Sequence, residues 1–146
     1  MVAPRLLALS LAGDMPVSAG VLAPYKALVE LCCDADSELG RLAPEYGLRS
    51  LRLTEDVRLD TQRSEGIAQD FLRTHSNADA WSALPCTAWC TWQYVNAAKL
   101  GKDFCSRLAY RRRKSIHMVG AAERCIKLAQ ESGGAVHFEW PRRCRG

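Results

Sequence analysis

The hydrophobic residues of this chain follow two alternating patterns. Short continuous apolar runs are typical of strands buried on both faces of a parallel sheet, and they occupy residues 26–33, 50–53, 78–84 and 135–138. Longer stretches with helical spacing lie between them, at residues 37–42, 62–74, 92–100 and 102–130. Gly101 separates the last two stretches and predicts a break in the helix.

This order of elements predicts an α/β fold. We expect a Rossmann-like three-layer sandwich, incomplete, with about four mainly parallel strands. Asp36 or Ser37 is placed to cap the first helix. In the second helix, the predicted inward face holds Ile67, Phe71 and Leu72. In the last helix, the predicted inward residues are Met118, Ala122, Cys125, Leu128 and Ala129.

The domain organisation is simple. Residues 1–24 are predicted to be a flexible leader and residues 25–146 a single domain. The apolar stretch 6–12, followed by small residues, is also a weak match to a secretory signal, and that alternative stays open. No apolar run approaches the roughly 18 residues that a membrane span needs, so no membrane partner is expected.

Cysteine usage bears on compartment and on metal binding. The chain has seven cysteines, an odd number without the spacing of a disulfide framework, which favours a reducing, intracellular location. Cys86 and Cys90 are four residues apart, and no CxxC pair occurs. We therefore expect no metal site.

The positive charge is unevenly distributed. The net charge is +4, and basic runs lie at residues 111–114 and 142–145. Such runs are typical either of a solvated helix face or of phosphate contacts. On the second interpretation, the candidate nucleic-acid contacts are Arg111, Arg112, Arg113, Arg142 and Arg143.

Two short segments carry the candidate chemistry. Cys86 follows Pro85 at the end of the third predicted strand, and Glu139 follows the fourth. Because the carboxyl ends of parallel strands meet at one edge of a sheet, both side chains are expected to face one crevice. A thiol beside a carboxylate suits covalent attack on an electron-poor ring with acid assistance.

A cofactor site is predicted where the first strand ends. In doubly wound sheets the loop after this strand usually holds the cofactor, and an acid about twenty residues later can bind both ribose hydroxyls. An adenosine-bearing cofactor is therefore one interpretation, and a solvated turn at Glu55 is the other. No GxGxxG pattern occurs, which disfavours a dinucleotide, whereas S-adenosylmethionine has no phosphates and needs less close backbone approach. The candidate cofactor residues are Glu30, Cys32, Cys33, Asp34, Asp36, Glu55 and Pro85.

These residues resemble a known family. Residues 84–90, with Pro85-Cys86, are similar to the PC motif of DNA (cytosine-5) methyltransferases, commonly PPCQxFS. Residues 138–140 are similar to that family's ENV motif, and residues 29–33 occupy the place of its DLFxGxGG cofactor motif. The three segments follow the family's order, and the resemblance covers residues 26–141.

The resemblance implies a mechanism and a partner. Cys86 would attack C6 of cytosine, Glu139 would hold N3, and C5 would take the methyl group from S-adenosylmethionine. The nucleic acid would be DNA in preference to RNA, which implies a nuclear location, and the base would have to be flipped out. Asp34, Ala35 and Asp36 replace the family's glycines. The resemblance therefore implies a truncated or degenerate domain, with a further chain segment completing the sheet.

A second function class stays open. The chain could be a non-catalytic nucleic-acid-binding module derived from a mobile element, because aromatic rings among arginines can stack on unpaired bases. The rings in question are Trp81, Trp89, Trp92, Tyr94 and Trp140, for which core packing is the simpler interpretation. Binding of S-adenosylmethionine distinguishes the two classes, since only the methyltransferase-like domain requires it.

Overall fold

The chain folds around a four-stranded parallel sheet. The computed structural model describes residues 26–54 and 57–140, so the predicted leader at residues 1–24 lies outside the described residues. The strand order is β2-β1-β3-β4, and every neighbouring pair is parallel. The strands are β1 at Ala27–Cys33, β2 at Arg49–Thr54, β3 at Asp79–Ser82 and β4 at Val136–Phe138.

Helices connect the strands in sequence. Helix α1 at Glu38–Leu42 runs into a 3-10 helix at Ala43–Tyr46, and α2 occupies Gln62–Thr74. A second 3-10 helix, Thr87–Trp89, precedes the long α3 at Trp92–Glu131. The predicted α/β class with parallel strands is confirmed. Within residues 26–54 and 57–140, no helix is both long and apolar enough to cross a membrane.

The main core lies between the sheet and the helices α2 and α3. Alternating β1 residues Val29 and Leu31 are fully buried there. Small side chains on α3 (Ala121, Ala122, Cys125 and Ala129) let the helix approach the sheet closely. The predicted inward face of α3 is confirmed, because Met118 and Leu128 also pack against this core. Glu30 lies on the opposite face of β1, which α1 covers.

The predicted inward face of α2 is wrong in part. Phe71 packs against the core as predicted, but Ile67 is 40% exposed. The buried residues of this helix are Ser64, Ala68 and Leu72. These three lie at exact four-residue intervals and form one stripe along the helix. The small side chains of Ser64 and Ala68 bring α2 close to its neighbours, which turns the larger Ile67 toward solvent.

The predicted break at Gly101 is confirmed, and it reverses the chain direction. Gly101 has φ 71° and ψ −161°, inside an element that is helical on both sides. The Cys105 thiol lies 3.9 Å from the carbonyl oxygen of Ala97, and the Arg112 guanidinium lies 5.6 Å from the Tyr94 ring centroid. Contacts at these separations require two antiparallel limbs.

Candidate functional site at the carboxyl edge

The order of the strands puts the reversal point of the sheet between β1 and β3, next to the cavity at the ends of β3 and β4. The chain moves outward from β1 to β2 and then crosses back to β3, so the connections on either side of β1 run in opposite directions. In open α/β sheets, ligands bind at such a reversal point. The segments beyond the strands stay close together, because Ala83 N donates to Leu31 O at 3.1 Å and Glu139 N donates to Ser82 O at 2.8 Å.

Cys86 and Glu139 line the same open cavity. The cavity has a volume of about 540 Å³, and the other lining residues are Ala83, Leu84, Phe138 and Trp140. The rings of Phe138 and Trp140 stack at a centroid distance of 6.2 Å. Cys86 is half-buried, and Glu139 and Pro85 are exposed. A thiol, a carboxylate and flat apolar walls therefore meet in one opening.

Helix α3 holds the turn that carries Cys86. Gln93 Nε2 donates to the Thr87 carbonyl oxygen at 2.9 Å, and Arg112 Nε donates to the Ala88 carbonyl oxygen at 3.1 Å. Trp89 Nε1 donates to the Ser115 hydroxyl at 2.9 Å. Three contacts from one helix fix the short 3-10 helix that follows Cys86, so the thiol has a supported backbone.

The end of β1 has an unusual backbone. Cys32 has φ 63°, a left-handed conformation that side chains other than glycine rarely adopt. The pairing of β1 with β2 shifts register between Leu31 and Cys33, which marks a bulge at this point. Strained backbone of this kind concentrates at functional sites. Among the predicted cofactor residues, Cys32 therefore occupies the most specialised position.

The two thiols at the end of β1 are poor nucleophiles. Burial, the neighbouring Cys33 and the carboxylate of Asp60 raise the pKa of Cys32 to about 12. Burial and Glu30 also raise the pKa of Cys33. Both thiols therefore stay protonated at neutral pH. All six cysteines that the structure describes are thiols rather than disulfides.

The buried carboxylate of Glu30 stabilises the loop that follows β1. The Glu30 side chain is 3% exposed, accepts a hydrogen bond from the Ser37 hydroxyl and pairs with Arg52 at 3.5 Å. Arg52 also donates to the carbonyl oxygens of Asp34 and Ala35, each at 2.8 Å. Of the two predicted caps, Ser37 is the N-cap residue of α1, but its hydroxyl donates to Glu30 and makes no capping hydrogen bond.

The exposed part of the loop carries two carboxylates. Asp34 and Asp36 are both exposed, above the buried pair formed by Glu30 and Arg52. Glu55, the predicted ribose partner, lies outside the described residues. Asp34 and Asp36 are therefore the predicted cofactor residues whose charged groups face solvent at this edge.

The basic run on α3 divides into two kinds of residue. Arg111 and Arg113 are exposed, as phosphate contacts require. Arg112 differs, since its guanidinium lies over the rings of Trp89, at 5.2 Å, and Tyr94, at 5.6 Å. Its Nε donates to the Ala88 carbonyl oxygen, so the guanidinium has a packing role here, and its role as a nucleic-acid contact stays a prediction. Arg142 and Arg143 lie outside the described residues.

Sequence reasoning missed two supporting side chains. Arg52 lies within β2 and gave no motif, although its register opposite Glu30 follows from strand pairing. Asp60, in the loop after β2, pairs with Arg58 and lies 3.9 Å from Lys114 on α3. The Asp60 pairing depends on tertiary placement, so no local signal could have identified it.

The aromatic residues do not form one stacking platform. Trp81 stacks on His137 at 4.9 Å on the sheet, whereas Trp89 contacts Arg112 and Trp140 lines the cavity. Trp92 and Tyr94 project from the start of α3. The five rings thus divide between packing roles and an exposed pair.

No model of a known protein family matches the chain, and no curated protein or solved structure matches it. In the part of the chain that the structure describes, no group of three or more His, Cys, Asp or Glu residues is arranged to hold a metal ion.

Proposed function

We propose that the chain is an S-adenosylmethionine-dependent methyltransferase-like domain that acts on cytosine in nucleic acid, with DNA preferred over RNA. The observation that carries the proposal is the shared cavity of Cys86 and Glu139 at the carboxyl edge of a parallel sheet. Its volume of about 540 Å³ lies within the range of small-molecule pockets. Its aromatic and aliphatic walls suit a flat ring.

The two polar side chains of the cavity have complementary roles in this proposal. The Cys86 thiol would lose its proton as its sulfur bonds C6, and Glu139 would deliver a proton to N3, which takes up the electron pair displaced from the C5–C6 double bond. The cofactor supplies the methyl group to C5. Loss of the C5 proton then releases the Cys86 sulfur from C6 and restores the aromatic ring. The hydrogen bonds from α3 keep the thiol in place.

The residues at the end of β1 fit this cofactor. S-adenosylmethionine carries a positive sulfonium and an ammonium group, and the exposed carboxylates of Asp34 and Asp36 supply the opposite charge. Cys32, with its left-handed backbone, begins the turn into this loop. Asp34, Asp36 and Pro85 would hold the cofactor, while Glu30 and Arg52 hold the loop.

Calorimetry tests the cofactor site directly. S-adenosylmethionine and its demethylated product should both bind the folded chain, and Asp36→Asn should weaken binding. Asp103→Asn, which removes an exposed carboxylate on α3, is the matched control and should leave binding unchanged. A folded sample that binds neither ligand overturns the methyltransferase proposal.

The second function class has a specific observation in its favour. Exposed basic and aromatic residues share the first part of α3, an arrangement that a nucleic-acid-binding module without chemistry also needs. Such a module, derived from a mobile element, would bind oligonucleotides and ignore S-adenosylmethionine. The calorimetric test therefore decides between the two classes.

A further inference from the structure

Residues 92–114 form a helical hairpin, which we call the hairpin arm. Its limbs meet at Gly101 and run antiparallel, as the contact between Cys105 and Ala97 requires. Gln93 and Leu108 are buried, one on each limb. The arm is therefore a folded unit within α3.

The hairpin arm projects beyond the carboxyl edge of the sheet. The far end of α3 lies at the amino edge, where Asn77 N, just before β3, donates to Ser132 O at 3.1 Å. Ser115 lies at the carboxyl edge, where it accepts from Trp89. The intervening turns of helix, about 25 Å long, already span the sheet. Residues 92–114 consequently extend past it, on the side of the cavity.

The arm concentrates the positive charge of the protein. It contains seven of the 20 Lys and Arg residues but only one of the 16 Asp and Glu residues. Its net charge therefore exceeds the +4 of the whole chain, and the remainder of the chain is slightly acidic. A surface with this imbalance attracts a polyanion.

Aromatic rings are interleaved with these charges. Trp92 is 72% exposed, and Tyr94 and Tyr110 are each 54% exposed. Arg107, Tyr110 and Arg111 are spaced three and four residues apart, so they lie on one helix face. Both arginines are exposed. This face offers two cations and a ring to the same ligand.

We propose that the hairpin arm binds single-stranded nucleic acid, with its cations on the phosphates and its exposed rings stacked on unpaired bases. Trp92 and Tyr94 share the first limb with Lys99, and the other six cations share the second limb with Tyr110. A helix that lies on a membrane would instead separate an apolar face from a charged one. The inference extends the proposed function by naming a surface for the polymer, and it does not depend on the chemistry at Cys86.

Fluorescence anisotropy with a labelled DNA strand of about 20 nucleotides tests the arm. The double variant Arg107→Glu/Arg111→Glu should weaken binding by at least about tenfold. It should also reduce the slope of log affinity against log salt by about 1.4, since each single-strand phosphate contact contributes about 0.7. Trp92→Ala should weaken binding by about fivefold or more through lost stacking.

The matched control is Arg63→Glu/Lys127→Glu, which changes the net charge equally at exposed positions on α2 and the far part of α3. An equal loss in this control would show that overall charge, rather than the arm, determines binding. Tighter binding to duplex than to the single strand, or binding only to phosphatidylserine vesicles, would also overturn the proposal. Binding of S-adenosylmethionine is measured separately by calorimetry, so failure of the methyltransferase proposal remains distinguishable from failure of the arm to bind the strand.

Discussion

The thiol of Cys105 lies 3.9 Å from the carbonyl oxygen of Ala97. In a straight α-helix, residues eight positions apart are separated by about 12 Å along the axis. The contact therefore requires the reversal at Gly101, whose combination of φ 71° and ψ −161° is open essentially to glycine alone. A chain reversal at a single glycine explains how one long helical segment forms the hairpin arm.

Crosslinking tests this reversal. Ala97→Cys should form a disulfide with Cys105 under mild oxidation, because the two limbs touch at this point. Ala98→Cys, one residue further along the limb, is the control and should crosslink much less. Adding Gly101→Ala should reduce the yield, since alanine disfavours the reversed backbone. Peptide mapping identifies the bond, and equal yields for the two cysteine positions would contradict the hairpin.

Removing Arg52 should destabilise the fold strongly. Arg52→Met leaves the buried carboxylate of Glu30 without its cation, and we expect a loss of about 3 kcal/mol in urea unfolding. Arg41→Met is the matched control, since Arg41 pairs with the exposed Glu38 and should change stability by less than about 1 kcal/mol. Adding Glu30→Met to Arg52→Met should recover much of the loss.

Cys32 should prefer glycine over alanine. At most strand positions a protein with alanine is more stable than one with glycine by roughly 0.5–1 kcal/mol. At a position with a left-handed backbone, every side chain with a Cβ lowers the stability instead. We expect Cys32→Gly to be more stable than Cys32→Ala by about 1 kcal/mol in urea unfolding. Cys33, whose φ is not positive, should show the opposite order. If alanine is more stable than glycine at Cys32 as well, Cys32 is not strained in solution.

Thiol labelling should separate the cysteines. At pH 8 the pKa of Cys32, about 12, leaves a thiolate fraction of only about one in ten thousand, so labelling should be slow and should accelerate as pH rises. Cys86 lines an open cavity and should react faster with limiting iodoacetamide. The exposed Cys105 provides the reference rate. A Cys86 that is labelled only after denaturation would remove the main support for a nucleophilic role.

Acid should weaken the contact between α2 and α3. The hydrogen bond from Arg124 to Glu65 lowers the pKa of that carboxyl below its ordinary value of 4.5. The stabilisation is therefore present above pH 4.5 and is lost as the pH falls through the lower, folded pKa. Glu65→Gln should flatten the pH dependence of the melting temperature below 4.5. Glu123→Gln, at an exposed position on α3, should leave it unchanged.

Much of the fold follows from the sequence alone. Continuous apolar runs predicted all four strands, because a strand buried on both faces carries apolar residues at successive positions. Helix α2 has the predicted bounds, because an amphipathic helix spaces its apolar residues three or four positions apart. The break at Gly101 was also predictable from residue type. The reversal at this break was not, because a glycine signals conformational freedom without its direction.

The site was less predictable than the fold. The sequence placed Cys86 and Glu139 after strands, and the parallel arrangement then brought them to one cavity. The internal roles of Glu30, Arg52 and Arg112 arise from cross-strand register and from the fold of the arm. Charge runs in a sequence do not distinguish Arg112, held between two rings, from its exposed neighbours Arg111 and Arg113.

The reversal at Gly101 also has a consequence for the order in which the protein folds. Contacts within the arm close short loops. Pairing of β3 with β1 instead closes a loop that contains β2 and α2, and pairing of β4 with β3 closes one that contains the 40 residues of α3. Short loops close at a lower entropic cost and at a higher rate. We therefore expect the arm to form early and to shorten the effective separation between β3 and β4 before the sheet is complete.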